Sequence, residues 1–144
     1  MRKNDSVRTP KHIIQALQEK YFKFNVYWDA TPYNKNFCKK KDVDGLTTNW
    51  KNVTFCNPPY SKSWKFLLKA NEEYTKHEIK SILLVKVGIL CTKTFQTISK
   101  NCSLVFFPKR ITFENYSSPG RFGNVSILFG YKNCGNFDIF NSVI

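Results

Sequence analysis

A short β-branched and aromatic run, Val53-Thr54-Phe55-Cys56, leads straight into Asn57-Pro58-Pro59-Tyr60. The run reads as a buried strand. Two prolines then force it to stop, because neither can donate a ladder hydrogen bond. Asn57 is biased toward extended backbone by the proline that follows it. A rigid loop therefore stands at a strand's carboxyl end, the edge at which open α/β sheets place their ligands. The loop carries an amide side chain, backbone carbonyls and an aromatic ring. Together these suit a planar, amino-bearing base, held by acceptors at its edge and a ring on its face. The plainer alternative is a Pro-Pro turn with a packed tyrosine.

At 144 residues, 42% of them hydrophobic and 16% aromatic, the chain is expected to form one domain with its own core. No apolar run approaches a membrane span, and the basic N-terminal residues lack the apolar stretch of a signal peptide. The 23 Lys and Arg against 10 Asp and Glu leave a net charge of +13. That excess favours a polyanion, most simply nucleic acid, through phosphate attraction and counterion release. Nineteen lysines, four arginines and fourteen asparagines are also what an A/T-rich coding sequence would produce. The five cysteines have no Cys-x-x-Cys spacing and the two histidines are isolated, so the expectation is a reducing, intracellular setting and no metal.

Along the chain, Thr9-Pro10 opens a helix, with a capping side chain and proline at the first helical position. Ile13, Ile14, Leu17 and Tyr21 share one face of it. Residues 22–28 read as a strand ending at Asp29-Ala30-Thr31, and 33–49 as loop. After the tetrapeptide, Ser61 or Ser63 is expected to cap a helix with Trp64, Leu67, Leu68 and Tyr74 on its apolar face. Residues 81–87 read as a nearly continuous apolar strand of the kind buried on both faces. A helix over 92–99 and a strand over 104–107 follow. Residues 110–113 and 125–131 then suggest an antiparallel hairpin. The sum is a mostly parallel three-layer α/β sheet with a terminal hairpin.

Several features recur in a known order: Thr9-Pro10, Asp29-Ala30, Asp44-Gly45-Leu46 with Trp50, Asn57-Pro58-Pro59-Tyr60 with Trp64, Leu83-Leu84-Val85 and Arg110-Ile111-Thr112-Phe113. In this the chain resembles the phage-type, Dam-like DNA N-6-adenine methyltransferases over roughly residues 6–131. The resemblance implies a Rossmann-like fold that uses S-adenosyl-L-methionine, DNA as partner, and a target adenine that leaves the duplex. The Asn57 side-chain carbonyl and the Pro58 backbone carbonyl would accept from the adenine amine, Pro59 would stiffen the loop and Tyr60 would stack on the base. Ser-Pro-Pro loops serve the cytosine amine; asparagine at the first position favours adenine. Thr9, Pro10, Asp29, Ala30 and Thr31 would hold the methionine end of the cofactor, its cationic amine suiting Asp29. Asp44 would meet the adenosine part, or serve only its turn.

Lys62, Lys65, Lys109, Arg110 and Arg121 flank the loop or the hairpin and are candidates for phosphate contacts. Arg121, in the 114–124 loop, is also placed to read a guanine edge. Three departures stand against the family pattern, one of them Gly120-Arg121-Phe122-Gly123, which sits where the family usually has a more proline-rich segment. No glycine-rich loop follows the first strand, and Asn57 comes only 27 positions after Ala30, so one βα unit would be missing or irregular. A catalytically silent relative, kept as a nucleic-acid-binding or virion component, is the alternative function.

Overall fold

The computed structural model describes residues 9–23, 27–32, 44–114, 120, 122–131 and 137–139. Helix α1 spans Lys11–Tyr21, strand β1 Trp28–Asp29 and strand β2 Thr54–Cys56. Helix α2 spans Ser63–His77, strand β3 Ser81–Lys86 and helix α3 Lys93–Ile98. Strands β4 (Cys102–Phe106), β5 (Asn124–Phe129) and β6 (Phe137–Ile139) complete the described elements.

The six described strands lie in the order β1-β2-β3-β5-β4-β6. β1, β2 and β3 are mutually parallel, and β6 runs parallel to β4. β5 is antiparallel to both β3 and β4, so among the described strands it alone runs against the others. The carboxyl ends of β1, β2, β3 and β4 thus share one edge, which β5 meets with its amino end.

Side-chain alternation along the strands builds a core on each face. Ile82, Leu84, Val105 and Leu128 point to α1, where Ile13, Ile14, Leu17 and Tyr21 cover them. Leu83, Val85, Val125, Ile127 and Phe129 point the other way, under Phe66, Leu67 and Ala70 of α2 and Ile98 of α3. β3 is apolar at successive positions because both of its faces are buried. The molecule is a mixed α/β fold of helix, sheet and helix layers, as the alternating pattern predicts.

Four local expectations are corrected. Thr9 does not cap α1: Pro10 holds the N-cap position without a side-chain bond, and the Thr9 hydroxyl turns to Asn57 instead. Phe22 caps the end of α1, Lys23 takes a left-handed φ of 58°, and the strand is only Trp28–Asp29; residues 24–26 lie outside the described ones. Neither Ser61 nor Ser63 caps α2, because a 3-10 turn over Tyr60–Lys62 feeds directly into it. That turn sets the helix phase so that Phe66, Leu67 and Ala70 face the sheet, while Trp64 and Leu68 remain 47% and 41% exposed. Last, residues 110–113 are not a strand. Pro108 closes β4, and Ile111 and Phe113 reach the α1-side core as a loop. The antiparallel neighbours of β5 are β3 and β4.

One turn braces the β1 edge. Asp44 Oδ1 accepts from Leu46 N at 3.0 Å, and Trp50 Nε1 donates to Gly45 O at 2.7 Å. A Cβ on Gly45 would run into the Ala30 carbonyl oxygen and stand 2.9 Å from the Phe66 ring. Gly45→Ala is therefore expected to cost about 1–3 kcal/mol as an overpacked contact. A lowered midpoint at unchanged slope in urea unfolding is the expected reading; an unchanged midpoint would show that the turn can shift freely.

Candidate active site

Parallel pairing of β1 with β2 sets Asp29 beside Phe55. Beyond that pair the two chains leave the sheet together, and their side chains are tied across the gap. The Asn57 amide donates to Thr31 Oγ1 at 3.0 Å. Its side-chain Nδ2 donates to Thr9 Oγ1 at 2.8 Å, joining the α1 start to the end of β2. Thr31 N in turn donates to Asp29 Oδ1 at 2.9 Å. Asn57 is thus not an open loop side chain, as the tetrapeptide alone suggests. It extends β2 by one position on the α1 face and is 9% exposed.

Beside this network lies a cavity of about 350 Å³, lined among others by Thr9, Asp29, Thr31 and Asn57. Four of the residues expected from the sequence therefore converge. Three further polar residues line the cavity unanticipated: Lys11, Tyr27 and Glu114. Tyr27 was legible in principle, two residues before Asp29 and so on the same strand face. Among the other expected cofactor residues, Pro10 is buried at the α1 start, and Ala30 is buried in the core on the α2 side. Asp44 organises its own turn and does not line the cavity.

Burial lifts the Asp29 carboxyl to about 6, against a partly offsetting hydrogen bond from Thr31. Burial also raises the Tyr27 hydroxyl, and the charges of Asp29 and Glu114 raise it further. Cys56, fully covered beneath Thr31, has its thiol pushed well up by burial.

Tyr60 opens the 3-10 turn and is half-buried. The Lys86 ammonium, at the end of β3, stands 4.0 Å from the centre of its ring and 4.1 Å from the centre of the Phe122 ring. Lys62 and Lys65 are exposed just after Tyr60, and Lys109 and Arg110 just after β4, all at the same edge of the sheet by strand direction. Arg121, and with it most of the loop expected to read bases, lies outside the described residues. Among the described residues no cluster of three or more His, Cys, Asp or Glu could hold a metal ion, and no helix is long and apolar enough to cross a membrane.

Fold and site define a mixed α/β protein with a polar cavity and a Pro-Pro-aromatic loop at the carboxyl edge of its sheet. Residues 1–126 match the family described as DNA N-6-adenine-methyltransferase (Dam). The chain belongs to that family, whose reaction is methylation of adenine in DNA and so requires DNA and a methyl donor. No curated protein and no solved structure matches the chain.

Proposed function

We propose that this protein transfers a methyl group from S-adenosyl-L-methionine to the exocyclic amine of an adenine turned out of DNA. The observation that carries the reading is the placement of Asn57. It begins the Pro-Pro-Tyr loop and also lines the polar cavity, so one residue can touch both reactants.

The residues present fit the methionine end of the donor. Asp29 is a buried carboxylate whose raised value marks a shortage of stabilisation for its charge, and a cationic amine in the cavity would supply it. The Thr9 and Thr31 hydroxyls stand beside it, and the volume lies within the usual range of about 300–1,000 Å³ for small-molecule sites. When bound, the donor supplies an activated methyl on a sulfonium.

The chain's own part is to orient and polarise the amine. The Thr9 hydroxyl takes the Asn57 amide nitrogen, which fixes the side chain so that its carbonyl oxygen is the atom offered to the base. That oxygen and the Pro58 carbonyl accept from the two amine hydrogens and direct the nitrogen lone pair at the methyl. The same acceptors stabilise positive charge as it develops on the nitrogen. Holding both reactants in line supplies much of the remaining rate. Tyr60 stacks on the extruded base, worth about 1–3 kcal/mol. The basic residues Lys62, Lys65, Lys109, Arg110 and Arg121 hold phosphates and set register on the duplex.

The test is direct: incubate the protein with methyl-labelled S-adenosylmethionine and DNAs of varied sequence, digest to nucleosides, and locate the label. Label in N6-methyladenine is expected. Label confined to cytosine, or no label from a protein that still binds DNA, overturns the reading; the latter is the behaviour of a catalytically silent relative.

A further inference from the structure

Lys86 occupies an unusual position. It is the last residue of β3, the strand between β2 and β5. β2 delivers Tyr60 on one side of it. On the other, Phe122 precedes β5 and is held in place by the Lys86–Asn124 pairing and by the Val87 N–H, which donates to Gly123 O at 3.0 Å. The ammonium sits at nearly equal distances, 4.0 and 4.1 Å, from the two ring centres. The rings are therefore no farther apart than those two distances together. A planar base stacked between two rings needs two contacts of about 3.5–4.0 Å each. The cation thus sits against both rings at about the contact distance that a base stacked on either would take, while Phe122 is 55% exposed at the mouth.

We propose that Lys86 is a placeholder for the target base. Its ammonium holds the slot between Tyr60 and Phe122 by cation–π attraction and leaves for a DNA phosphate when the base enters. This rests on the assignment of Tyr60 as the base-stacking residue. The consequence is substrate selection. A free base must displace the cation from the two rings, whereas a base within a polynucleotide also brings a phosphate that the cation can pair with. Lys86 is in this sense a specificity-determining residue, favouring adenine in DNA over adenine alone.

The probes are 9-ethyladenine, a base without phosphate, and a duplex oligonucleotide titrated over a range of salt. Lys86→Met keeps the length of the side chain and removes its charge. It is expected to tighten 9-ethyladenine binding about tenfold, the order of two partly exposed cation–π contacts. It should also lower the salt slope of duplex binding by about 0.9, one phosphate contact. Lys86→Arg, which keeps the cation, should behave as the parent. General damage to the fold would weaken both ligands, so opposite effects on the two separate the placeholder from a structural role. The proposal is overturned if Lys86→Met leaves 9-ethyladenine binding unchanged or weaker, or leaves the salt slope unchanged. In the Tyr60→Ala background the gain should vanish. If it persists, the base binds elsewhere and the role given to Tyr60 falls with the slot. Absence of methyl transfer with the Lys86 results intact overturns only the chemistry proposed above.

Discussion

Asn57→Ala is expected to lower the turnover number for adenine methylation by about 10²–10³-fold, the range seen when one pre-set polar partner of a developing charge is removed. Two losses combine. The amine loses an acceptor at the moment its nitrogen becomes positive, and Thr9 loses the Nδ2 donor that ties α1 to the end of β2. The second loss also touches the folded state. Leaving the buried Thr9 hydroxyl without this bond costs about 1–3 kcal/mol, so equilibrium unfolding should accompany the kinetics. Asn57→Asp is the informative companion, because it keeps an oxygen in place for the amine and one to which the Thr9 hydroxyl can donate. Most of the activity should return with it. If Asn57→Ala turns over as the parent does, Asn57 is a structural tie and not the polarising residue.

Asp29→Asn is expected to change stability and cofactor binding in opposite directions. The carboxyl is raised from an ordinary 3.8 to about 6 by burial. Between those values the folded chain holds a proton that the unfolded chain has released, so stability falls as pH rises through that window. Below it both states are protonated, and above it both are ionised with the full penalty in force. The neutral amide of the variant carries no such penalty. It should therefore be more stable than the parent above pH 6 and should lose this part of the pH dependence. Binding runs the other way. A cationic amine prefers the ionised carboxylate, so affinity of the parent for S-adenosylmethionine should decline below about pH 6 by up to tenfold per pH unit. The variant should bind weakly with little pH dependence. Calorimetry with the cofactor and thermal unfolding, both from pH 5 to 8, read the two effects on one sample. A variant that binds as tightly as the parent removes Asp29 from the site.

Local backbone constraint decides which parts of this molecule could be read from its residues. Strand β2 and its loop were legible because two prolines leave the backbone few choices. α1 followed from the spacing of Ile13, Ile14 and Leu17, whereas the cap of α3, where the Thr92 hydroxyl accepts from Phe95 N, emerges only in the structure. Thr9, Asp29 and Thr31 were nominated by the family resemblance, and Asn57 also by its place where β2 meets two prolines; the four converge on one cavity. The failures share a cause. Trp64 and Leu68 are exposed because the preceding 3-10 turn, not the apolar count, decides which face of α2 meets the sheet. Ile111 and Phe113 alternate as a strand would, yet are used as loop anchors in the α1-side core. Lys86 and Phe122 could not be paired from spacing at all. Their meeting depends on the β3–β5 register, a contact between segments about forty residues apart in the chain.

That register has a further consequence, for the order in which the molecule can assemble. β5 lies between β3 and β4, and all six of its residues are buried. A growing chain that has already made β1 through β4 would still lack the middle of its sheet, with the facing edges of β3 and β4 open and both apolar cores uncovered along the gap. Closing such a long-range contact must precede the gain from it, which slows folding and leaves strand edges exposed to other chains meanwhile. Completion of the fold and completion of the Tyr60–Lys86–Phe122 cluster are then one event, since the segment that fills the sheet also brings Phe122 to its place. An incompletely folded chain would carry Asn57 and its loop without the ring that completes the slot.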